Sequence, residues 1–105
     1  MTYAPETLIR QQADTLPGLT VLEFGANWCG HCQAAQGAIT EALAGRAALR
    51  HIKIEDGPGR PLGRSYRVKL WPTLVLLRDG VEAERLVRPT RAVDVAAALA
   101  RLTGE

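Results

Sequence analysis

Two cysteines, separated by two residues, are the residues of this sequence whose types and spacing most clearly suggest chemistry. They are the only cysteines among its 105 residues, and both fall in the segment NWCGHCQ, residues 27–33. Three uses fit such a pair: a structural disulfide, half of a metal site, or a redox-active pair that opens and closes. The elements that position Cys29 and Cys32 decide which of these uses is favoured.

The segments around the pair predict a strand followed by a helix. LTVLEFGA, residues 19–26, is an almost continuous apolar run with β-branched and aromatic members, which is typical of a strand covered on both faces. From Gly30 to Leu49, apolar residues recur at helical spacing on one face. The cysteines therefore lie where a strand ends and a helix begins, a common place for chemistry in open α/β sheets.

The remaining segments complete a predicted α/β domain. APETLIRQQAD predicts a first helix that begins at Pro5, and RHIKIE predicts a second strand parallel to the first. Asp79–Gly80, between two apolar runs, predicts an antiparallel hairpin, and TRAVDVAAALARL predicts a final helix. We expect residues 1–105 to form a single domain with a mixed central sheet, a C-terminal antiparallel hairpin and helices on both faces.

Composition and charge argue against several classes of function. Apolar residues make up 47% of the chain and the net charge is +2, which favours a packed core and gives no indication of nucleic-acid binding. No apolar run reaches about 18 residues, so we expect no membrane span. The start, MTYAPETLIR, lacks the apolar region of a secretory signal, and from this we expect a cytoplasmic protein.

The redox use of the cysteine pair is the favoured one. A disulfide that closes so short a loop would stabilise little, and a zinc site needs four ligands where Cys29, Cys32 and His51 supply at most three. We predict no metal site within the chain. We expect Cys29, at the helix N-terminus, to be the exposed attacking thiolate with a lowered pKa, and Cys32 to be the shielded resolving thiol. His31 between them can add positive charge or a hydrogen bond.

Two strings of the sequence, VLEFGANWCGHCQ and VKLWPTLVLLRDG, together resemble the thioredoxin family. The resemblance runs from Leu19 to the final helix and implies the thioredoxin fold and a monomeric thiol-disulfide oxidoreductase without a cofactor, acting as a reductase. Its implied partners are protein disulfides and a thioredoxin reductase or another dithiol donor. The inner Gly-His dipeptide is similar to that of protein disulfide isomerase domains, whereas the rest of the chain looks more like a bacterial thioredoxin.

The resemblance also implies substrate-binding positions. Pro72 matches the family's cis-proline, which faces the cysteine pair. Trp71 before it would offer backbone groups to an extended substrate segment, and Trp28 resembles the tryptophan that flanks the active site. Arg88 departs from the family, because it stands where thioredoxins commonly have a glycine near the substrate groove.

An acidic residue interrupts the first predicted strand. Glu23 lies in a run that should be buried, and burial is expected to raise its pKa. It matches the family's buried acid, usually Asp, and we expect it to take the proton of Cys32 during catalysis, directly or through water. Lys53 matches the family lysine near that acid and could modulate its charge. His31, in place of the usual proline, is expected to make the couple more oxidising.

Two other functions stay open at this point. A non-catalytic interaction or holdase-like module would use the apolar groove around Trp28 and Trp71. A dimer bridged by a metal ion or an iron–sulfur cluster would use the cysteines of two chains. Separately, several basic residues fall in segments that the resemblance places near the active-site face, and they predict a rim that attracts acidic partners. These residues are Arg67, Lys69, Arg88 and Arg91.

Overall fold

A mixed sheet with helices on both faces organises the computed structural model, which describes residues 2–104. In chain order the elements are α1 (Arg10–Ala13), β1 (Leu19–Gly25), α2 (Gly30–Leu43), β2 (Arg50–Glu55), α3 (Pro61–Ser65), β3 (Thr73–Arg78), β4 (Val81–Val87) and α4 (Ala92–Thr103). The described strands follow the order β2-β1-β3-β4, with β1 and β2 parallel and the other pairs antiparallel. The predicted mixed sheet, parallel crossover and C-terminal hairpin are therefore confirmed.

Successive side chains of β1 point to opposite faces of the sheet, and the two faces bury different chemistry. On the side of α2 and α4, called the α2 face here, Val21 packs against apolar residues of both helices. On the side of α1 and α3, called the α3 face, Leu22 and Phe24 pack with Tyr66. Alternation places Glu23 on the α2 face, so a fully buried carboxylate lies beside an otherwise apolar core.

The N-terminal helix is shorter than the sequence predicts. Pro5 does not begin it, because α1 starts at Arg10 and the preceding residues are irregular. Ala4 instead forms a parallel bridge with β2, and the carboxylate of Glu6 accepts a hydrogen bond from a backbone N–H of α3. These long-range bonds outweigh local helix propensity, which is a weak preference. As a result, Tyr3 is buried against the sheet.

Helix α2, the longest of the described helices, also ends earlier than its sequence pattern predicts. It stops at Leu43, before the expected end at Leu49. Gly45 follows with a φ of +76°, in the left-handed region that glycine adopts without a steric penalty. Among residues 2–104, no helix combines the length and the apolar character that a membrane crossing needs.

Candidate active site

The two cysteines lie at the junction of β1 and α2, as the sequence predicts. Cys29 is the N-cap of α2, and its Sγ accepts a hydrogen bond from the backbone N–H of Cys32 at 3.2 Å. Both side chains are free thiols in this structure. A helix N-terminus presents unpaired N–H groups, so negative charge that develops on the Cys29 sulfur is favourably placed.

Cys29 is not the exposed residue that the sequence predicts. Its relative exposure is 7%, and that of Cys32 is 1%. Tyr3 and Ala26 pack with the cysteines, and Trp71 lies against this group. Much of this cover comes from parts of the chain far from the cysteines, which local sequence does not reveal. The predicted order of exposure still holds, since Cys29 is the more accessible of the two.

The thiol of Cys32 is held in its protonated form. Burial, together with a hydrogen bond and the charge of the adjacent Cys29, raises the pKa of Cys32 to about 11. A hydrogen bond from the backbone of Ala26 and one from Tyr3 act in the opposite direction but do not compensate. Cys32 therefore needs a proton acceptor before its sulfur can act as a nucleophile.

Behind Cys32, a buried cluster of polar side chains surrounds Glu23. His51 Nε2 lies 2.8 Å from Glu23 Oε1, and Gln36 Nε2 donates to Oε2 at 2.9 Å. The Tyr3 hydroxyl also donates to Oε2, and Lys53 Nζ lies 3.9 Å from the same oxygen. We call these residues, which come from β1, β2, α2 and the N-terminal segment, the Glu23 cluster.

The predicted rise in the pKa of Glu23 is wrong. Burial by itself raises this pKa, but hydrogen bonds from His51, Gln36 and Tyr3 and the charge of Lys53 outweigh burial and lower it. A buried carboxylate that receives several donors is stabilised in its charged form. Glu23 is therefore ionised at neutral pH and able to accept a proton.

Strand β2 supplies two members of the cluster. Lys53 is the register partner of Glu23 in the parallel β1–β2 pair, and its side chain is only 5% exposed. It faces the carboxylate, as the resemblance implies, and does not point to solvent. His51 lies two residues earlier on the same face and contacts Glu23. From the sequence, His51 was expected only as a candidate metal ligand. Within residues 2–104, no group of three or more His, Cys, Asp or Glu side chains is arranged to hold a metal ion.

Sequence reasoning missed three members of the cluster, and two of them carried a usable signal. Gln36 lies one helical turn after Cys32, so it shares the face of α2 that points at the sheet. His51 shares the face of Lys53 by strand alternation. Tyr3 carried no local signal, because long-range bonds of the N-terminal segment with Asn27 and β2 bring it to the site.

Tyr3 reaches both Glu23 and Cys32 because position 25 has no side chain. A Cβ at Gly25 would lie 2.7 Å from Cys32 Sγ and 2.7 Å from Tyr3 Cζ, closer than atoms can pack. The phenol group occupies that space, where it donates to Glu23 and packs beside Cys32. Burial and the neighbouring carboxylate raise the pKa of Tyr3 far above its ordinary value, so its hydroxyl stays neutral.

An apolar surface adjoins the cysteines. The Trp71–Pro72 peptide bond is cis, which confirms the conformation implied for Pro72. The Trp71 ring meets that of Trp28 edge-on, with 5.6 Å between ring centroids, and Trp28 is 75% exposed. Trp71 is fixed from its other side, because its Nε1 donates to Asp56 Oδ2 at 2.9 Å. The two indoles therefore form a platform beside Cys29.

Arg88 covers one backbone group of this platform. Its Nε donates to the carbonyl oxygen of Trp71 at 2.8 Å, and its own N–H donates to the carbonyl of Pro72 at 2.8 Å. Arg88 has a φ of +51°, a left-handed conformation that favours glycine. The carbonyl that the resemblance assigns to substrate binding is therefore already hydrogen-bonded in this structure.

Two of the four basic residues of the predicted rim, Arg67 and Lys69, line one groove. This groove, of about 510 Å³ beside Trp71, has a lining that includes basic side chains and Asp56. The basic members of this lining are Arg60, Arg64, Arg67 and Lys69. Arg88 is bound to Trp71, whereas Arg91 is exposed at the start of α4. His31 is exposed in the first turn of α2.

Comparisons with known sequences point to one family. The family model described as Thioredoxin matches residues 8–101. The chain is 42% identical over 74 residues to a thioredoxin of Chlamydia trachomatis, and the match covers 67% of this chain and 69% of that protein. It is 37% identical over 94 residues to protein disulfide-isomerase A2 of Pongo abelii, where the match covers 84% of this chain but only 18% of the length of that relative.

Solved structures agree with the sequence matches. Thioredoxin 2 of Pseudomonas aeruginosa PAO1 in its reduced form superposes with a TM-score of 0.88 at 50% identity, covering 99% of this chain and 96% of that one. A mutant thioredoxin of Halobacterium salinarum superposes with a TM-score of 0.75 at 26% identity, covering 97% and 89%. The stretch matched by the family model contains both cysteines and Pro72, whereas Tyr3 lies outside it.

Proposed function

Because this chain belongs to the thioredoxin family of thiol-disulfide oxidoreductases, we propose that it exchanges a Cys29–Cys32 dithiol with disulfides of other proteins, as a reductase. The observation that carries the proposal is the junction of β1 and α2, where the Cys29 sulfur caps the helix and Cys32 lies one turn inside. We further propose that residues 1–105 act as a single domain of this family.

The first step is attack on the substrate disulfide. The Cys29 thiolate attacks one sulfur of that disulfide, a mixed disulfide forms, and the other substrate sulfur leaves with the electron pair of the broken bond. The N–H of Cys32 that contacts Cys29 Sγ stabilises the attacking charge. His31 in the first turn of α2 adds positive charge when protonated, and we retain the prediction that it makes the couple more oxidising.

The second step releases the reduced substrate. Cys32 loses its proton and attacks Cys29 Sγ, and the second substrate sulfur leaves as a thiolate. Glu23 is the acceptor of that proton in this proposal, because it is the ionised carboxylate buried behind Cys32. Lys53, 3.9 Å from Glu23, offsets part of its charge. The products are two substrate thiols and an oxidised Cys29–Cys32 pair.

The platform beside the cysteines is the proposed substrate site. An extended segment next to Pro72 would pair with backbone groups of Trp71, and its side chains would contact the indoles of Trp28 and Trp71. The Arg88 guanidinium already bonds one lone pair of the Trp71 carbonyl, so it lies beside any segment that pairs there. This position favours substrates with a group that binds a guanidinium, such as a carboxylate.

The proposal extends to partners and location. A thioredoxin reductase or another dithiol donor would return the oxidised pair to the dithiol. We propose a cytoplasmic monomer that uses no cofactor. The support is the similarity to bacterial thioredoxins along two thirds or more of the chain. Equilibration with glutathione measures the reduction potential and hence the direction, since 30 mV corresponds to about 1.4 kcal/mol for this two-electron couple.

Trapping experiments test the exchange reaction. Cys32→Ser is expected to accumulate mixed disulfides on Cys29, because the resolving sulfur is missing, and to lose turnover with a model protein disulfide. Cys29→Ser is the matched control, in which the trapped species disappears. Mass spectrometry of non-reduced samples measures both. A Cys29→Ser protein that keeps its biological effect would instead support a non-catalytic interaction module.

A further inference from the structure

The Tyr3 hydroxyl stands between the resolving thiol and the buried acid. It donates to Glu23 Oε2, and the ring carbon that carries it and Cys32 Sγ each lie 2.7 Å from the position that a Gly25 Cβ would take. Gln36 Nε2 donates to the same hydroxyl at 3.2 Å and to Glu23 Oε2 at 2.9 Å. One hydroxyl therefore bonds the group that can receive a proton and belongs to a ring packed beside the group that must lose it.

The position of Tyr3 is imposed by its backbone and by the space around its ring. Its N–H donates to Asn27 Oδ1 at 2.9 Å, and Asn27 Nδ2 donates back to its carbonyl at 3.2 Å. Lys53 Nζ lies 4.6 Å from the centre of the ring. The ring also fills the space that a side chain at Gly25 would need. The phenol is thus held beside Glu23 and Cys32.

The pKa values of Cys32 and Glu23 are poorly matched for a direct proton transfer between them. Burial and the adjacent Cys29 raise the pKa of Cys32 to about 11, whereas the cluster's hydrogen bonds lower that of Glu23 below its usual range in spite of burial. Transfer to so weak a base leaves a thiolate in a buried place unless a donor stabilises it at once. A neutral hydroxyl beside the sulfur can supply that donor.

We propose that the Tyr3 hydroxyl relays the proton of Cys32 to Glu23 when Cys32 attacks the mixed disulfide. The inference rests on the exchange reaction proposed above, and it adds a residue packed beside the reacting sulfur. Glu23 then acts through Tyr3 and not by direct contact with the thiol.

The relay balances its protons and electrons. The Cys32 proton passes to the Tyr3 oxygen while the original Tyr3 proton passes to Glu23, so the phenol remains neutral throughout. Afterwards the hydroxyl donates to the Cys32 thiolate and accepts from the Glu23 carboxyl. The thiolate forms the Cys29–Cys32 bond, the bond from Cys29 to the substrate sulfur breaks, and the substrate thiolate leaves with the electron pair.

A chromogenic disulfide separates the two steps of exchange. The reduced protein is mixed with 5,5′-dithiobis(2-nitrobenzoate) at a concentration that makes attack by Cys29 fast. The first thiolate released reports Cys29, and the second reports Cys32 attacking the mixed disulfide. Tyr3→Phe keeps the ring and removes the hydroxyl. It is expected to slow the second release at least tenfold and to leave the first within twofold, because general acid–base groups contribute about 10²–10⁴-fold.

The matched control is the other buried tyrosine. The Tyr66 hydroxyl is buried and has no hydrogen-bond partner among the described residues, so Tyr66→Phe removes the same atom where no chemistry is proposed. Both releases are expected to match the wild type. Gly25→Ala is a second relay variant, because its Cβ collides with Tyr3 and Cys32 while keeping every relay group. It is expected to slow the second release selectively.

The pH profile supplies a readout that a packing role would not move. In Tyr3→Phe, the second release should need a higher pH, because Cys32 must lose its proton without the relay. The titratable groups that face the relay are Cys29 at the start of α2, Glu23 from β1, and His51 and Lys53 from β2. All four remain in the variant, and among them only Glu23 loses a hydrogen bond, the one from the Tyr3 hydroxyl.

The outcomes separate the relay from the exchange reaction itself. If the wild type releases only one equivalent of thiolate, the proposed function fails. If it releases two and Tyr3→Phe matches it in rate and pH profile, only the relay is overturned. Equal slowing of both releases, or slowing of the second release by Tyr66→Phe, would likewise overturn it.

Discussion

The two faces of β1 differ in what they bury, although they belong to the same seven residues. On the α3 face, Phe24 packs against Tyr66 with 5.8 Å between ring centroids. On the α2 face, the neighbouring Glu23 is equally buried but is met by hydroxyl, amide, imidazole and ammonium groups. Adjacent positions of one strand therefore bury an aromatic ring on one side and a carboxylate with its hydrogen-bond donors on the other.

The two buried tyrosines show the same difference at the level of one atom. Tyr3 and Tyr66 are 6% and 3% exposed. The Tyr3 hydroxyl contacts Glu23 and Gln36 and its ring packs beside Cys32, whereas the Tyr66 hydroxyl finds no partner within residues 2–104. Burial alone therefore does not distinguish the tyrosine that we propose as a relay. What distinguishes it is a set of polar contacts beside a thiol.

The largest expected effect is on the α3 face and concerns stability. Phe24→Ala removes a fully buried ring, and we expect the free energy of unfolding to fall by about 4 kcal/mol through lost burial and a residual cavity. The rate of the second thiolate release should remain within twofold of the wild type. Denaturant unfolding and the chromogenic assay measure the two quantities. A selective loss of the second release would break the separation between the faces.

The next effect is on the α2 face and concerns chemistry. Glu23→Gln keeps the size of the side chain but removes the proton acceptor, and we expect the second release to slow about 100-fold, or about 2.7 kcal/mol in barrier. Glu82→Gln is the control, since Glu82 is a surface carboxylate paired with Arg85. An unchanged release rate in Glu23→Gln would remove the proposed role of the acid.

The same variant is expected to change how the stability of the protein depends on acidic pH. The folded-state pKa of Glu23 is lowered by its donors, with burial opposing them, so its contribution to stability is present above the unfolded pKa of about 4.3. That contribution is lost as the pH falls through the folded pKa. Between about pH 6 and pH 2, the free energy of unfolding should therefore fall less steeply with decreasing pH in Glu23→Gln than in the wild type. Parallel curves would mean that the carboxylate is not preferentially stabilised.

The smallest effect sharpens the comparison of the two tyrosines. Tyr66→Phe removes a buried hydroxyl that lacks a partner, and we expect it to stabilise the protein by about 1 kcal/mol. Tyr3→Phe removes a hydroxyl that satisfies Glu23, and we expect a loss of about 1–2 kcal/mol at neutral pH. Thermal and denaturant unfolding of both variants test the opposite signs. If both variants change the free energy of unfolding in the same direction, the two hydroxyls do not differ in how well they are hydrogen-bonded.

Local pattern was enough to predict the parts of the fold that depend on neighbouring residues. The strand at residues 19–25, the helix that begins at Gly30 and the hairpin at Asp79–Gly80 were confirmed. Periodicity and turn chemistry act within a few residues, so they can be recognised in the sequence without knowledge of the fold. The helix predicted from Pro5 was wrong, because bonds with β2 and α3 hold that segment irregular.

The same division appears in the site. The spacing of the two cysteines alone predicts the redox pair, and a carboxylate that interrupts an apolar run indicates Glu23. The sign of its pKa shift was wrong, because that sign depends on donors from other elements. The exposure of Cys29 was wrong for a related reason, since Tyr3 and Trp71 cover it from segments distant in the chain.

The sequence by itself determined that a thiol pair stands where a strand meets a helix and that an acid is buried just upstream, because these relations span fewer than about ten residues of continuous pattern. Only the tertiary structure decided which groups surround that acid. The register of β1 against β2 brings Lys53 and His51 to Glu23, and the missing side chain of Gly25 admits Tyr3. Such contacts join residues 20 or more positions apart, and they exist only once packing has selected one arrangement of the whole chain.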